Sequence, residues 1–172
     1  EVRDKDGVSA AAMCAEMTLY WRSKGKSLLD RLNDIFVDHG YFEDRAISKG
    51  FPGASGGETM KGLMARLRAD GLTSLGGKKV VSIRDVKEGI TYDPKTPNQK
   101  AKIALPSSNV LQFFLEDGTV VSARPSGTEP KIKFYISCPV PVSGKDVETA
   151  RKNAAAVLSA IDGEIRALLA KA

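Results

Sequence analysis

The twelve residues "RPSGTEPKIKFY", which begin at Arg124, concentrate groups that bind anions. Arg124 and Lys133 supply positive charge, and a guanidinium can donate two parallel hydrogen bonds to a pair of phosphate oxygens. The hydroxyls of Ser126 and Thr128 add two donors. Gly127 permits the left-handed backbone in which successive N–H groups form an anion-binding nest. The segment therefore predicts a phosphate site, and a tight β-turn with incidental charges is the alternative.

The strand after this loop indicates where the lysine points. Period-two alternation places four apolar side chains on one face, Ile132, Phe134, Ile136 and Cys138. Lys133 and Tyr135 fall on the opposite face. Because the apolar face must meet the helices, Lys133 is expected to project from the open face of the sheet. Arg124 ends the preceding strand, so the loop should bring both cations to the same end of the open face.

The length and composition are typical of a soluble globular protein. The chain has 172 residues, 42% hydrophobic and 27% charged, enough for one domain or one domain with a piece of another. No apolar run reaches a membrane span and no signal segment opens the chain, so we expect a cytoplasmic protein without a membrane partner. Cys14 and Cys138 are predicted to be two buried thiols. Since the first residue is Glu1 rather than Met, we expect a piece of a longer protein.

The net charge of +5 is unevenly distributed along the chain. Residues 1–40 carry 6 basic and 7 acidic side chains, whereas residues 41–172 carry 20 and 14. The whole positive excess therefore lies in the second segment. Such an excess suits an anionic ligand, either a sugar phosphate or a nucleic acid, although many surfaces are mildly basic without a functional reason.

Two helices are predicted before Gly40, over residues 8–24 and 28–39. Ser27 can cap the second helix, and Gly40 stands where a C-terminal glycine belongs. Two helices bury too little apolar surface to fold alone. We therefore assign residues 1–40 to the C-terminal helices of a preceding domain and residues 41–172 to a separate phosphate-binding domain.

The second segment is predicted to be α+β. In chain order, the pattern predicts an extended piece at 41–51, a helix ending at Gly71, a strand at 78–86, a hairpin turning at Asp117 and Gly118, the strand described above, and a helix at 145–170. The polar connection 91–109 is long enough to be functional or mobile. This order favours an antiparallel sheet of about four strands with two helices on one face.

The loop and its flanks resemble a known family. "LPSSNVLQFFLEDGTVVSARPSGTEP" is similar to the C-terminal signature of the α-D-phosphohexomutases, the phosphoglucomutase and phosphomannomutase family. "VRDKDGVSAAAMCAEM" resembles the end of that family's third domain, so the similarity covers nearly the whole chain. The resemblance implies a last domain similar in fold to the TATA-binding protein. It also implies an Arg-x-Ser-Gly-Thr loop that binds the non-transferred phosphate of the substrate.

The family's site residues can be placed on this sequence by position. The phosphate loop is then Arg124, Ser126, Gly127 and Thr128. Lys133 stands where the family has a basic residue, usually arginine, and the change keeps the charge but weakens bidentate binding. Lys5 in "RDKDG" matches a lysine that reaches the sugar and has been considered for proton transfer; an exposed lysine in an acidic turn is the alternative.

Three motifs of the family do not occur in the sequence: the Thr-x-Ser-His-Asn-Pro phosphoserine loop, the Asp-Gly-Asp-x-Asp-Arg loop for Mg²⁺, and the Gly-Glu-x-Ser sugar motif. The resemblance implies that the intact isomerase passes phosphate from the phosphoserine to a hexose phosphate and takes one back, with Mg²⁺ bound outside these residues. We therefore expect this chain to hold one end of the substrate, to need the remaining domains, and to be inactive alone. The choice of sugar should lie in the missing sugar motif.

Other interpretations are weaker. A basic unit with an open sheet face also fits a nucleic-acid-binding module, but Tyr135 is the best of few aromatics for base stacking, so we favour a sugar phosphate. A structural domain without a ligand is a third alternative. "GASGGE" (53–58) lacks the Gly-Lys-Ser/Thr ending of a nucleotide P-loop and is interpreted as a flexible helix start. Asp4 and Asp6 lack further ligands, so no metal site is predicted.

Overall fold

The structure is a computed structural model that describes residues 5–171. The helices are α1 (Gly7–Ser23), α2 (Leu28–His39), α3 (Gly56–Asp70) and α4 (Val147–Ala170). The strands are β1 (Tyr41–Gly50), β2 (Ser74–Leu75), β3 (Lys78–Asp85), β4 (Ile90–Tyr92), β5 (Ala101–Lys102), β6 (Leu111–Leu115), β7 (Val120–Pro125) and β8 (Lys131–Val140). The described residues divide into two compact units, one of residues 5–41 and 141–150 and one of residues 42–140 and 151–171.

The strands form one sheet with the order β1-β8-β7-β6-β3-β4-β5, and β2 pairs with β3. Along this order, each pair of neighbouring strands from β8 and β7 to β4 and β5 is antiparallel. The Phe51 N–H donates to the Pro130 carbonyl at 2.8 Å, which ties the end of β1 to the start of β8. The predicted α+β class with an antiparallel sheet is therefore confirmed, although the sheet has eight strands rather than about four.

The strands that the sequence did not predict are β2, β4 and β5, which have two or three residues each. A segment that short cannot show period-two alternation, so the sequence carried no signal for it. The segment 91–109, predicted as a long polar loop, contributes to β4 and contains β5. The prediction of a loop over its whole length is therefore wrong. The pairings Ile90 with Lys102 and Thr91 with Ala101 fold its first half back as a hairpin.

The core lies between the sheet and the helices α3 and α4. The predicted apolar face of β8 is confirmed, since Ile132, Phe134, Ile136 and Cys138 are all buried. Helix α3 buries Leu63, Met64 and Leu67, and α4 buries Leu158, Ile161 and Ile165 among others. The helices thus cover one face of the sheet, while Lys133 and Tyr135 lie exposed on the other. This open face carries the candidate site.

Helix α2 forms where its capping residues predict. The Ser27 hydroxyl accepts from the Asp30 N–H and the Asp30 carboxylate accepts from the Ser27 N–H, which makes a complete capping box. Gly40 ends the helix with a left-handed φ of 93°, a conformation that glycine adopts without a Cβ penalty.

The two cysteines differ from the prediction of two buried thiols. Cys138 is buried on β8, where burial raises the pKa of its thiol. Cys14 is exposed, and it lies on α1, a helix that contains no buried residue. Within residues 5–171, no helix combines the length and the apolar character that crossing a membrane requires.

The turn between β6 and β7 predicts a pH dependence of stability. Burial tends to raise the pKa of Asp117, but hydrogen bonds from Thr119 and Lys78 outweigh it and hold that pKa below the ordinary 3.8. A carboxyl group with a lowered pKa stabilises the fold above its unfolded pKa, and that stabilisation is lost as the pH falls through the folded pKa. We expect wild type to be more stable than Asp117→Asn at neutral pH in urea unfolding. The difference should shrink once the pH falls below about 4, the pKa of the unfolded carboxyl, and should be lost only below the still lower folded pKa; a constant difference at all pH values would contradict the assignment.

Candidate functional site

The ends of β7 and β8 bring two positive charges together. Arg124 lies directly opposite Lys133 in the antiparallel register, so their Cα atoms are about 5 Å apart. The intervening loop closes tightly, because the Ser126 N–H donates to the Lys131 carbonyl at 2.7 Å and the Lys131 N–H donates to the Glu129 carbonyl at 2.8 Å. The strand pairing and the short loop therefore fix both cations at one end of the open face.

A cavity of 310 Å³ lies at this end of the sheet and is called the anion cavity here. It is lined by Arg124, Pro125, Ser126, Gly127, Thr128, Lys133 and Tyr135. The five residues predicted for the phosphate site thus share one cavity. Tyr135 was not predicted for it, although period-two alternation from Lys133 places it on the same face of β8.

The electrostatics of the anion cavity favour a negatively charged ligand. Within residues 5–171, neither Arg124 nor Lys133 makes a side-chain hydrogen bond or an ion pair. Like charges directly opposite each other on paired strands repel and destabilise the sheet. Glu129, the one acidic residue of the loop, does not line the cavity. A bound anion would relieve the repulsion between the two cations.

The hydroxyl groups of the loop are only loosely held. The Ser126 and Thr128 hydroxyl oxygens are 3.5 Å apart, and the Thr128 N–H donates to the Ser126 hydroxyl at 3.4 Å. Both distances are at the long limit for a hydrogen bond. Each hydroxyl can therefore turn toward a ligand at little cost.

Gly127 does not have the conformation that a left-handed nest requires. Its φ is not positive, unlike that of nine other glycines in the described part of the chain. A Cβ added at Gly127 would meet no atom within 4 Å, so neighbouring atoms do not require a glycine here either. The contribution of Gly127 to the site is therefore that it has no side chain, which keeps the cavity open.

Lys5 is not among the residues that line the anion cavity. It is exposed and directly precedes Asp6, which caps α1 by accepting from the Val8 and Ser9 N–H groups. It belongs to the first compact unit, whereas the anion cavity belongs to the second. Its role at a sugar stays a prediction.

The described residues do not fit a metal ion. Within residues 5–171 no three His, Cys, Asp or Glu side chains come close enough together to bind one. Asp6 is engaged as a helix cap, and Asp4 lies outside the described residues. The Mg²⁺ that the resemblance implies therefore has no ligand set among the described residues, and no chemical step of this chain is assigned to it.

Comparison with known proteins gives one matching family model and several similar curated proteins. Residues 63–156 match the family model described as "Phosphoglucomutase/phosphomannomutase, C-terminal domain". The chain is 35% identical over 136 residues to a phosphoglucomutase of Staphylococcus haemolyticus, which covers 79% of this chain and 24% of that protein. It is 36% identical over 167 residues to a human phosphopentomutase, which covers 94% of this chain and 26% of that protein.

The chain thus spans about a quarter of the length of the curated relatives it matches. The family model nevertheless covers more than half of its residues, including α3 from Leu63, the sheet from β2 to β8 and the anion cavity. This chain belongs to the phosphoglucomutase/phosphomannomutase family and carries that family's C-terminal domain.

Proposed function

We propose that this chain binds the phosphate group of a sugar phosphate in the anion cavity, with Arg124 and Lys133 as the charged contacts. One observation carries the proposal: the two cations are direct cross-strand partners, line one cavity and have no acidic partner within residues 5–171. A surface that keeps two neighbouring cations unneutralised is suited to a ligand that supplies the negative charge.

The other lining groups suit a phosphate more than a single charge. Arg124 can donate two parallel hydrogen bonds to two oxygens, and Lys133 contributes a compact point charge. Ser126 and Thr128 bring hydroxyl donors on the same side of the loop. Gly127 has no side chain that would exclude an oxygen. Phosphate, with several strong acceptor oxygens, can use all of these donors at once.

In the whole protein this site serves an isomerase that moves phosphate within a sugar phosphate. The support is family membership together with relatives named phosphoglucomutase and phosphopentomutase. The anion cavity holds the phosphate that is not transferred, and fixing one end of the substrate positions the other end for reaction. The reacting phosphoserine and Mg²⁺ belong to other parts of the enzyme, so this chain alone has no mutase activity.

Residues 1–40 belong to the domain that precedes the phosphate-binding domain. The support is that neither α1 nor α2 contains a buried residue. Large apolar side chains on both helices are exposed, including Val8 at 83%, Leu19 at 71% and Leu29 at 72%. Helices with this much exposed apolar surface ordinarily pack against further chain.

Substitution of the two cations tests the proposal. Arg124→Gln and Lys133→Gln are each expected to raise the Kd of the 172-residue chain for glucose 1-phosphate about tenfold or more, because a hydrogen bond to a charged group contributes about 1.5–3 kcal/mol. The Kd is measured by calorimetric titration at constant ionic strength. The double variant should bind too weakly to detect.

Lys79→Gln is the charge-matched control, since Lys79 is an exposed strand residue that does not line the anion cavity. It is expected to change the Kd less than about twofold, through loss of long-range attraction alone. If all three single substitutions weakened binding equally, the overall charge of the chain would explain the effect. That result would overturn the assignment of the site.

A further inference from the structure

A second cavity of 520 Å³ lies on the open face of the sheet and is called the sheet-face cavity here. Its charged and polar lining residues are Asp44, Arg45, Gln112, Ser122, Tyr135 and Ser137. Tyr135 lines both this cavity and the anion cavity. The two cavities are therefore neighbours with a common wall.

The strand register sets the distance between the two cavities. Ser122 pairs with Tyr135 in the row next to the Arg124 and Lys133 pair on the same face of β7 and β8. Residues two apart along a strand are separated by about 7 Å. A group of sugar-ring size attached to a phosphate between Arg124 and Lys133 would reach the Ser122 row.

Two polar groups of the sheet-face cavity, Gln112 and Ser122, are held by a row of hydrogen bonds that begins at Arg84. The Arg84 guanidinium stacks on the Phe114 ring at 4.8 Å and donates to the Gln112 side-chain oxygen at 3.4 Å. The Gln112 amide nitrogen in turn donates to the Ser122 hydroxyl at 3.0 Å. Because the Ser122 oxygen already accepts one bond, its own O–H is left to donate to a ligand.

This set of groups suits a polyhydroxylated ring. A sugar hydroxyl both donates and accepts, so it needs acceptors such as the Asp44 carboxylate beside donors such as the Ser122 and Ser137 hydroxyls. The exposed ring of Tyr135 offers an apolar face with a polar edge, on which the C–H side of a sugar can pack. A few placed polar groups beside an aromatic surface are typical of small-molecule sites.

We infer that the sheet-face cavity binds the sugar ring of the sugar phosphate whose phosphate lies in the anion cavity, with Ser122 and Tyr135 as ring contacts. This inference rests on the proposed function. It places ring contacts inside this chain, in addition to the sugar motif that the resemblance assigns to another part of the enzyme.

The test compares two ligands, because inorganic phosphate can use only the anion cavity. Kd values for inorganic phosphate and glucose 1-phosphate are measured with the 172-residue chain at one ionic strength. Wild type should bind glucose 1-phosphate more tightly. Ser122→Ala should raise the Kd for glucose 1-phosphate about three- to tenfold, the effect of one lost hydrogen bond, and leave the Kd for phosphate within about twofold.

Ser48→Ala is the matched control, since Ser48 is exposed on β1 and lines neither cavity. It should change neither Kd. Equal affinity of wild type for the two ligands, or a Ser122→Ala variant that keeps the wild-type ratio, would overturn the sugar subsite and leave the phosphate site standing. Failure of wild type to bind either ligand would overturn the proposed function and the subsite together.

Discussion

Replacing Gly56 by alanine is expected to destabilise the chain by about 3 kcal/mol, at the upper end of the usual cost of overpacking. A Cβ at this position would collide with the Phe51 carbonyl oxygen and would lie 2.8 Å from its carbonyl carbon. Both atoms are backbone, so no side-chain rotation can relieve the collision. Phe51 is itself buried and hydrogen-bonded to Pro130, so the segment cannot easily move aside.

The neighbouring glycine provides the control for this prediction. A Cβ at Gly57 would meet no atom within 4 Å, and its φ is not positive. Gly57→Ala should therefore leave stability unchanged or raise it by up to about 1 kcal/mol, because alanine favours the helix. Urea unfolding of the two variants measures the difference. Equal stabilities would show that the close approach of Gly56 to Phe51 is not maintained in solution.

Replacing Asp85 by alanine is expected to cost about 3–5 kcal/mol, the usual effect of removing one partner of a buried ion pair. Asp85 is 4% exposed, and its carboxylate accepts from the Arg68 Nε at 2.8 Å and from the Lys87 N–H at 3.0 Å. The Arg68 Nη2 also donates to the Asn109 side-chain oxygen at 2.6 Å. The substitution would leave a largely buried guanidinium and a backbone N–H without their acceptor.

Glu58→Ala is the control for the ion pair, since Glu58 pairs with Lys61 on the exposed surface of the same helix as Arg68. Its loss should cost less than about 1 kcal/mol. The double variant Arg68→Met with Asp85→Leu should recover part of the stability that Asp85→Ala loses, because no buried charge then remains unpaired. Thermal unfolding of all three variants tests this order. An Asp85→Ala variant no less stable than Glu58→Ala would contradict it.

The parts of the structure that local patterns determine could be predicted from the sequence. The alternation of apolar and polar residues in β8 was enough to separate Phe134, which is buried, from Lys133, which is exposed. Ser27 and Gly40 marked the ends of α2 because capping chemistry depends only on neighbouring residues.

The parts that depend on pairing could not be predicted in the same way. The shared wall of the two cavities at Tyr135 follows from the register of β7 with β8 and of β6 with β7, which no single strand specifies. The exposure of Cys14 depends on what packs against α1, and its local sequence does not determine that. Gly127 illustrates a third limit: glycine permits a left-handed backbone, but it does not require one.

The central claim is that the loop between β7 and β8 binds phosphate. NMR titration of the ¹⁵N-labelled chain with glucose 1-phosphate, glucose and a short oligonucleotide at one ionic strength tests it most directly. We predict that the amides of residues 126–128 and of Lys133 shift with glucose 1-phosphate and remain unchanged with glucose. If those amides do not move while the oligonucleotide shifts residues across the open face of the sheet, the positive charge serves a nucleic acid and the claim is wrong.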